Sequence, residues 1–168
     1  MFTSNPQLIF VIQFLTSTLV YLFLFKIYVI PFLKKKSVKN RLVILTLPHL
    51  IRHLGLTLLI PGIVTGDKLN QNFAFSTAIG DYITLILGIM AICGLEKNWS
   101  RSYYIAFVFN IVGLIDIIIA GIKGFRYQVI FELGPQWYVV NFWVPLLLVT
   151  HFISIIFLLE SNYHDQRK

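Results

Sequence analysis

Five stretches of this chain, each about 20 residues or longer and nearly free of charge, constrain its fold more than any other feature. They run at about 7–33, 41–64, 73–95, 102–122 and 137–159, each bounded by charges or by Pro, Gly and Asn. A run of that length crosses a hydrocarbon layer about 30 Å thick as a helix rising about 1.5 Å per residue. The runs are unbroken rather than strictly alternating, and backbone groups in hydrocarbon have to be satisfied within their own segment. They therefore predict helices and not barrel strands. The expected fold class is all-α: a polytopic membrane protein, a bundle of five transmembrane helices forming a single transmembrane domain over residues 1–168. Residues 125–136 mix Arg126, Gln128 and Glu132 with Phe125, Tyr127, Ile130 and Phe131, the pattern of a short interfacial segment.

Composition leads to the same class. Apolar residues make up 57% of the chain and charged ones 12%, against about 45–50% and about 25% in ordinary soluble domains. Met1 to Asn5 carry no positive charge, the apolar run after them is too long for a signal peptide, and no A-x-A site ends it. The first span is expected to stay as an anchor. Cys93 is a single thiol in an apolar run, unable to form an internal disulfide or a cysteine-based metal cage, and reads as a small buried residue.

The net charge of +7 sits mostly in short loops. Lys34, Lys35, Lys36, Lys39 and Arg41 fall in the first loop, Lys97 and Arg101 in the third, and Arg167 and Lys168 in the tail. The other side of the bundle receives only Lys68, Lys123 and Arg126. This nine-to-three bias predicts an outside N-terminus and a cytoplasmic C-terminus in the cell (inner) membrane, with anionic lipid at the Lys34–Arg41 loop. A loop this short offers no groove reader or stacking platform, so no nucleic-acid partner is expected. A homo-oligomer or a larger membrane complex is the expected setting. Trp99, Tyr103, Tyr104, Trp137 and Tyr138 fall at span ends, as an aromatic belt would.

Polar groups inside the spans carry the functional information, because an ionisable side chain in a bilayer is costly unless paired. At about 1.5 Å per residue from the cytoplasmic end, His49 lies about 12 Å in, Arg52 about 16 Å and His53 about 18 Å. Asp81 and Asp116 come out at about 21–22 Å, and Asn110 and His151 at about 13 Å. On α-helical spacing His49, Arg52, His53 and Leu56 share one face. Thr77, Gly80, Asp81, Thr84 and Gly88 form a small, polar stripe, and Asn110, Gly113, Asp116, Ala120 and Gly124 form another. Small residues let helices approach closely, so these stripes are expected to face the bundle interior. His151 shares a face with Leu147 and Ser154. Lys26 lies close enough to the cytoplasmic boundary to snorkel, and Pro48 and Pro145 are expected to kink their helices.

The sharpest expectation is an ion-paired centre in which Arg52 faces Asp81 and Asp116. One fixed positive charge between two carboxylates leaves one negative charge or one shared proton. The leading function is therefore proton- or ion-coupled transport, or a subunit of a membrane complex, with a site of Arg52, Asp81, Asp116, Asn110, His53 and His151. A different class is a haem- or metal-binding membrane protein with His49, His53 and His151 as ligands to haem or a transition metal. A third is a noncatalytic assembly subunit whose polar centre only fixes helix packing. No G-x-G-x-x-G, Walker loop, G-x-S-x-G or H-E-x-x-H motif is present, which argues against nucleotide-driven or familiar hydrolase chemistry.

Overall fold

The computed structural model describes residues 5–64 and 69–165, with side chains to Glu160; Lys68, Arg167 and Lys168 of the charge pattern lie outside the described residues. The described chain is all-helical, with no strand. Five helices are long and apolar enough to cross a membrane: α1 (Pro6–Lys34), α2 (Val38–Leu59), α3 (Gln71–Glu96), α4 (Ser102–Arg126) and α5 (Gln136–Glu160). Asn5, Ser37 and Asn70 cap the first three by accepting hydrogen bonds from backbone N–H groups of the opening turn. α2 ends at Leu59 and not at Val64, since the chain turns extended at Ile60 before Pro61. α4 runs four residues past Ile122 to Arg126.

Residues 125–136 are not one continuous element. Their first two continue α4, and Val129–Glu132 makes a single 3-10 turn. Val129, Ile130 and Leu133 are buried with Phe10, Leu58 and Phe73, so the segment closes one end of the bundle. Gly134 adopts φ +53°, and a Cβ there would come 2.6 Å from the Ile63 carbonyl oxygen. Glycine satisfies both the left-handed backbone and the close approach.

Proline shapes three of the helices. The π-helical turns Phe25–Val29 and Val139–Trp143 each end two residues before a proline, Pro31 and Pro145. Proline lacks an N–H, and its ring collides with the carbonyl one turn back; a widened turn relieves both. At Pro48 the opposite happens. Leu47–Leu59, 13 residues, winds as a 3-10 helix, although such runs rarely exceed about 3–4 residues. Three residues per turn replace 3.6, and the buried set becomes His49, Arg52, Gly55 and Leu58 in one straight row.

α3 packs between α2 and α4, and α5 closes the bundle against α2 and α4. α1 lies outside, along α5: 11% of its most apolar window is buried, against 50% for α5. It is held by Trp137 Nε1 donating to Gln13 Oε1 at 2.7 Å and by Phe10 edge-on to Trp137. At the Lys34 end two apolar clusters fill the interior, one around Leu33, Leu45 and Phe157 and the other around Leu42, Leu95 and Phe109. Arg41 caps α1 there by donating to the carbonyls of Leu33, Lys34 and Lys36, and Lys39 pairs with Glu96 at 3.3 Å. Large apolar side chains such as Leu19 and Ile122 stay exposed along the outer faces, a surface compatible with a membrane protein.

Candidate functional site

Arg52 joins four helices. From α2 its Nε donates to Asp81 Oδ1 of α3 at 2.8 Å, its Nη2 to Asp116 Oδ2 of α4, and its Nη1 reaches His151 Nε2 of α5 at 3.4 Å. The 3-10 winding contributes to this register. Each of the six residues from Leu47 to Arg52 rises about 2.0 Å instead of about 1.5 Å, which carries the guanidinium about 3 Å further toward the aspartates. Arg52 is sealed, with 1% of its side chain exposed, while Asp81 retains 19% and Asp116 13%.

The histidine behind Arg52 has a defined tautomer. Asn110 Nδ2 donates to the Ala106 carbonyl at 2.7 Å, which leaves Asn110 Oδ1 as the acceptor 2.9 Å from His151 Nδ1. His151 Nδ1 therefore carries the hydrogen and Nε2 presents its lone pair to Arg52. His49 lies against it, ring centroids 3.9 Å apart and the planes inclined by 45°. Its Nε2 donates to Thr150 Oγ1 at 2.9 Å, because the Thr150 hydroxyl hydrogen is directed to the carbonyls of Leu146 and Leu147. His49 Nδ1 is buried without a partner.

Three glycines make room for these side chains. A Cβ on Gly55 would strike the Asp81 carboxylate, one on Gly80 the Asp116 carboxylate, and one on Gly113 the His151 ring. Next to the aspartates lies a cavity of about 400 Å³ between α1 and α4, floored by Arg52, Asp81 and Asp116. Its walls are apolar, with Phe10 and Phe14 of α1, Phe73 of α3 and Ile117 and Phe125 of α4. Leu15, Gly121 and Phe125 along it are exposed, so it communicates with the outside. Toward the Lys34 end the polar centre gives way to the two apolar clusters, with Thr46 and Ser154 buried beside them.

Of the residues singled out in the sequence, Arg52, Asp81, Asp116, Asn110 and His151 come together. His53 does not. In a 3-10 helix it falls one residue out of the buried row, is exposed, and turns Nδ1 back to the Leu50 carbonyl at 3.1 Å. The proposed ligand set of His49, His53 and His151 fails for the same reason, and the 3.9 Å between the His49 and His151 rings leaves no room for a porphyrin between them. Among the described residues no three His, Cys, Asp or Glu side chains group to hold a metal ion. Gly55 and Thr150 were not singled out, and neither was the contribution of α1. The first was readable as the next step of the three-residue row His49, Arg52, Gly55. His53→Ala is expected to leave stability within about 0.5 kcal/mol, as surface changes do, whereas His151→Ala strips Arg52 and Asn110 of a partner and lowers the thermal midpoint measurably. Equal midpoints for the two variants would place His53 in the core after all.

No curated protein and no solved structure matches the chain. A family model does, over residues 9–159, from the end of the N-terminal cap region through the last buried turn of α5. The chain belongs to that family, described as Domain of unknown function (DUF8737).

Proposed function

We propose that this chain is a small integral inner-membrane protein, N-terminus outside and C-terminus cytoplasmic, that exchanges a proton or ion at Asp81 and Asp116. One observation carries the reading. A single guanidinium serves two carboxylates, and the carboxylates retain exposure beside the cavity while the guanidinium is sealed. The centre keeps one uncompensated negative charge on the side from which a cation arrives. Arg52 fixes that charge in place, and His151 and Asn110 extend the polar path away from the cavity. The orientation rests on Lys/Arg placement. Lys39 with Glu96 and Arg41 over Phe157 gather the basic loop, the end of α3 and the end of α5 at one pole, the cytoplasmic one in this reading. Exposed Lys34, Lys35 and Lys36 at that pole face anionic lipid.

Infrared titration of the carboxyl stretch in purified protein tests the exchange. One carboxyl is expected to take up and release a proton reversibly as the pH is varied, and Asp81→Asn or Asp116→Asn should remove that band while the helical circular dichroism persists. Two carboxylates that stay ionised throughout, or variants that lose folded protein in proportion to the band, would leave the centre as a device for holding helices together.

A further inference from the structure

The cavity beside Asp81 and Asp116 limits what can meet that charge. Building on the exchange reading, we propose that it binds an apolar organic monocation of the quaternary-ammonium type, which displaces the proton. At about 400 Å³ the cavity falls within the size range of small-molecule sites, and a void of about 150 Å³ already admits benzene in another protein. Arg52 donates to Asp81, Asp116 and His151, and only 1% of its side chain is exposed. An anion therefore finds no free cation on the lining. Asp81 Oδ2 and Asp116 Oδ1 accept no hydrogen bond among the described residues, and the floor sums to one negative charge. These two oxygens pack against glycines, Asp81 Oδ2 on Gly55 and Asp116 Oδ1 on Gly80, while Arg52 holds each carboxylate by its other oxygen.

Charge alone would also admit a metal ion, but the walls decide otherwise. A hard cation needs about six oxygen ligands, and here two carboxylates, the buried, unpartnered Thr77 hydroxyl and the Gln136 carboxamide are set among phenylalanine and aliphatic side chains. A quaternary ammonium is weakly hydrated, needs no directional ligand, and gains from aromatic rings such as Phe10, Phe14, Phe73 and Phe125. Of the other titratable neighbours only Lys123 acts on the floor charge, offsetting part of it at Asp116 from outside the cavity. His151 lies behind Arg52 from the aspartates, Lys123 is two turns along α4 and donates to Ser76 Oγ at 2.8 Å, and Glu132 belongs to the closing 3-10 turn; none of them lines the cavity, and α1 lines it with apolar side chains alone. Protonating either carboxylate cancels the floor charge, so proton and organic cation exclude each other.

Equilibrium dialysis of labelled benzyltrimethylammonium against wild-type protein in phosphatidylcholine nanodiscs, with empty nanodiscs as reference, tests this. Saturable binding is expected that weakens as pH falls and that releases protons into a weakly buffered solution, approaching one per cation at low pH, where the shared proton is bound beforehand. Its neutral isostere neopentylbenzene should bind at least about tenfold more weakly, because a carboxylate contributes on the order of 1.4 kcal/mol or more to a desolvated partner charge. Asp116→Asn should lose the cation by a similar factor. Equal binding of cation and isostere, or cation binding that neither weakens as pH falls nor releases a proton at low pH, overturns the proposal. Absent binding with an intact infrared carboxyl titration overturns it and leaves the exchange reading standing; absence of both removes the two together.

Discussion

Arg52→Gln is expected to cost the bundle about 3–5 kcal/mol, the range seen when one partner of a buried ion pair is removed and its counter-charges stay behind. The structure accounts for the size of the effect. Arg52 reaches three other helices, so its loss leaves Asp81 and Asp116 facing each other with no cation between them and leaves His151 Nε2 without a donor. The triple variant Arg52→Gln, Asp81→Asn, Asp116→Asn removes all three charges at nearly constant volume and is expected to recover most of that stability, since neutral replacements of a buried ionic group are often close to neutral in effect. Denaturant unfolding in detergent, followed by circular dichroism, measures both. A triple variant as unstable as Arg52→Gln would mean that the shape of the arginine, and not the charge balance, holds the helices. The same triple variant separates scaffold from function, because it keeps a folded bundle with no carboxyl left to exchange.

The pairing of Arg52 with Asp81 and Asp116 was legible in the sequence because the physics leaves few alternatives: three charges in long apolar runs have to find one another. The stripes on α3 and α4 were legible for a related reason, as Gly80, Gly113 and their neighbours admit close helix contact only on their own faces. What the sequence hid was the winding of α2. Pro48 announces an irregularity, but whether the turn widens, as before Pro31 and Pro145, or tightens, as at Leu47–Leu59, depends on what packs against it. That choice moved His53 outward and brought Gly55 in. The cavity was also hidden. It is the gap between α1 and α4, and the apolar α1 residues that line it look no different in sequence from those that cover the outside.

Adding one methyl group to α3 or α4 is expected to produce effects of opposite sign depending on which glycine receives it. Gly121→Ala has nothing within 4 Å of the new Cβ, so it should stabilise α4 by about 0.5–1 kcal/mol through reduced backbone entropy in the unfolded chain. Gly80→Ala drives a Cβ into the Asp116 carboxylate. Gly113→Ala drives one into the His151 ring, with Thr84 Cγ2 only 3.0 Å away on the other side. Neither obstacle is the free end of a flexible chain, since Asp116 is tied to Arg52 and His151 to both Arg52 and Asn110. Relief therefore requires the helices to part, and a loss of about 1–3 kcal/mol or more is expected, as for overpacked cores. Gly80→Ala carries a second signature. By pushing Asp116 off Arg52 it should shift the carboxyl stretch in the infrared titration, which Gly121→Ala should leave in place. If Gly80→Ala and Gly121→Ala unfold at the same denaturant concentration with the same infrared band, α3 and α4 do not approach closely enough for one arginine to serve both aspartates, and the centre described here would not form.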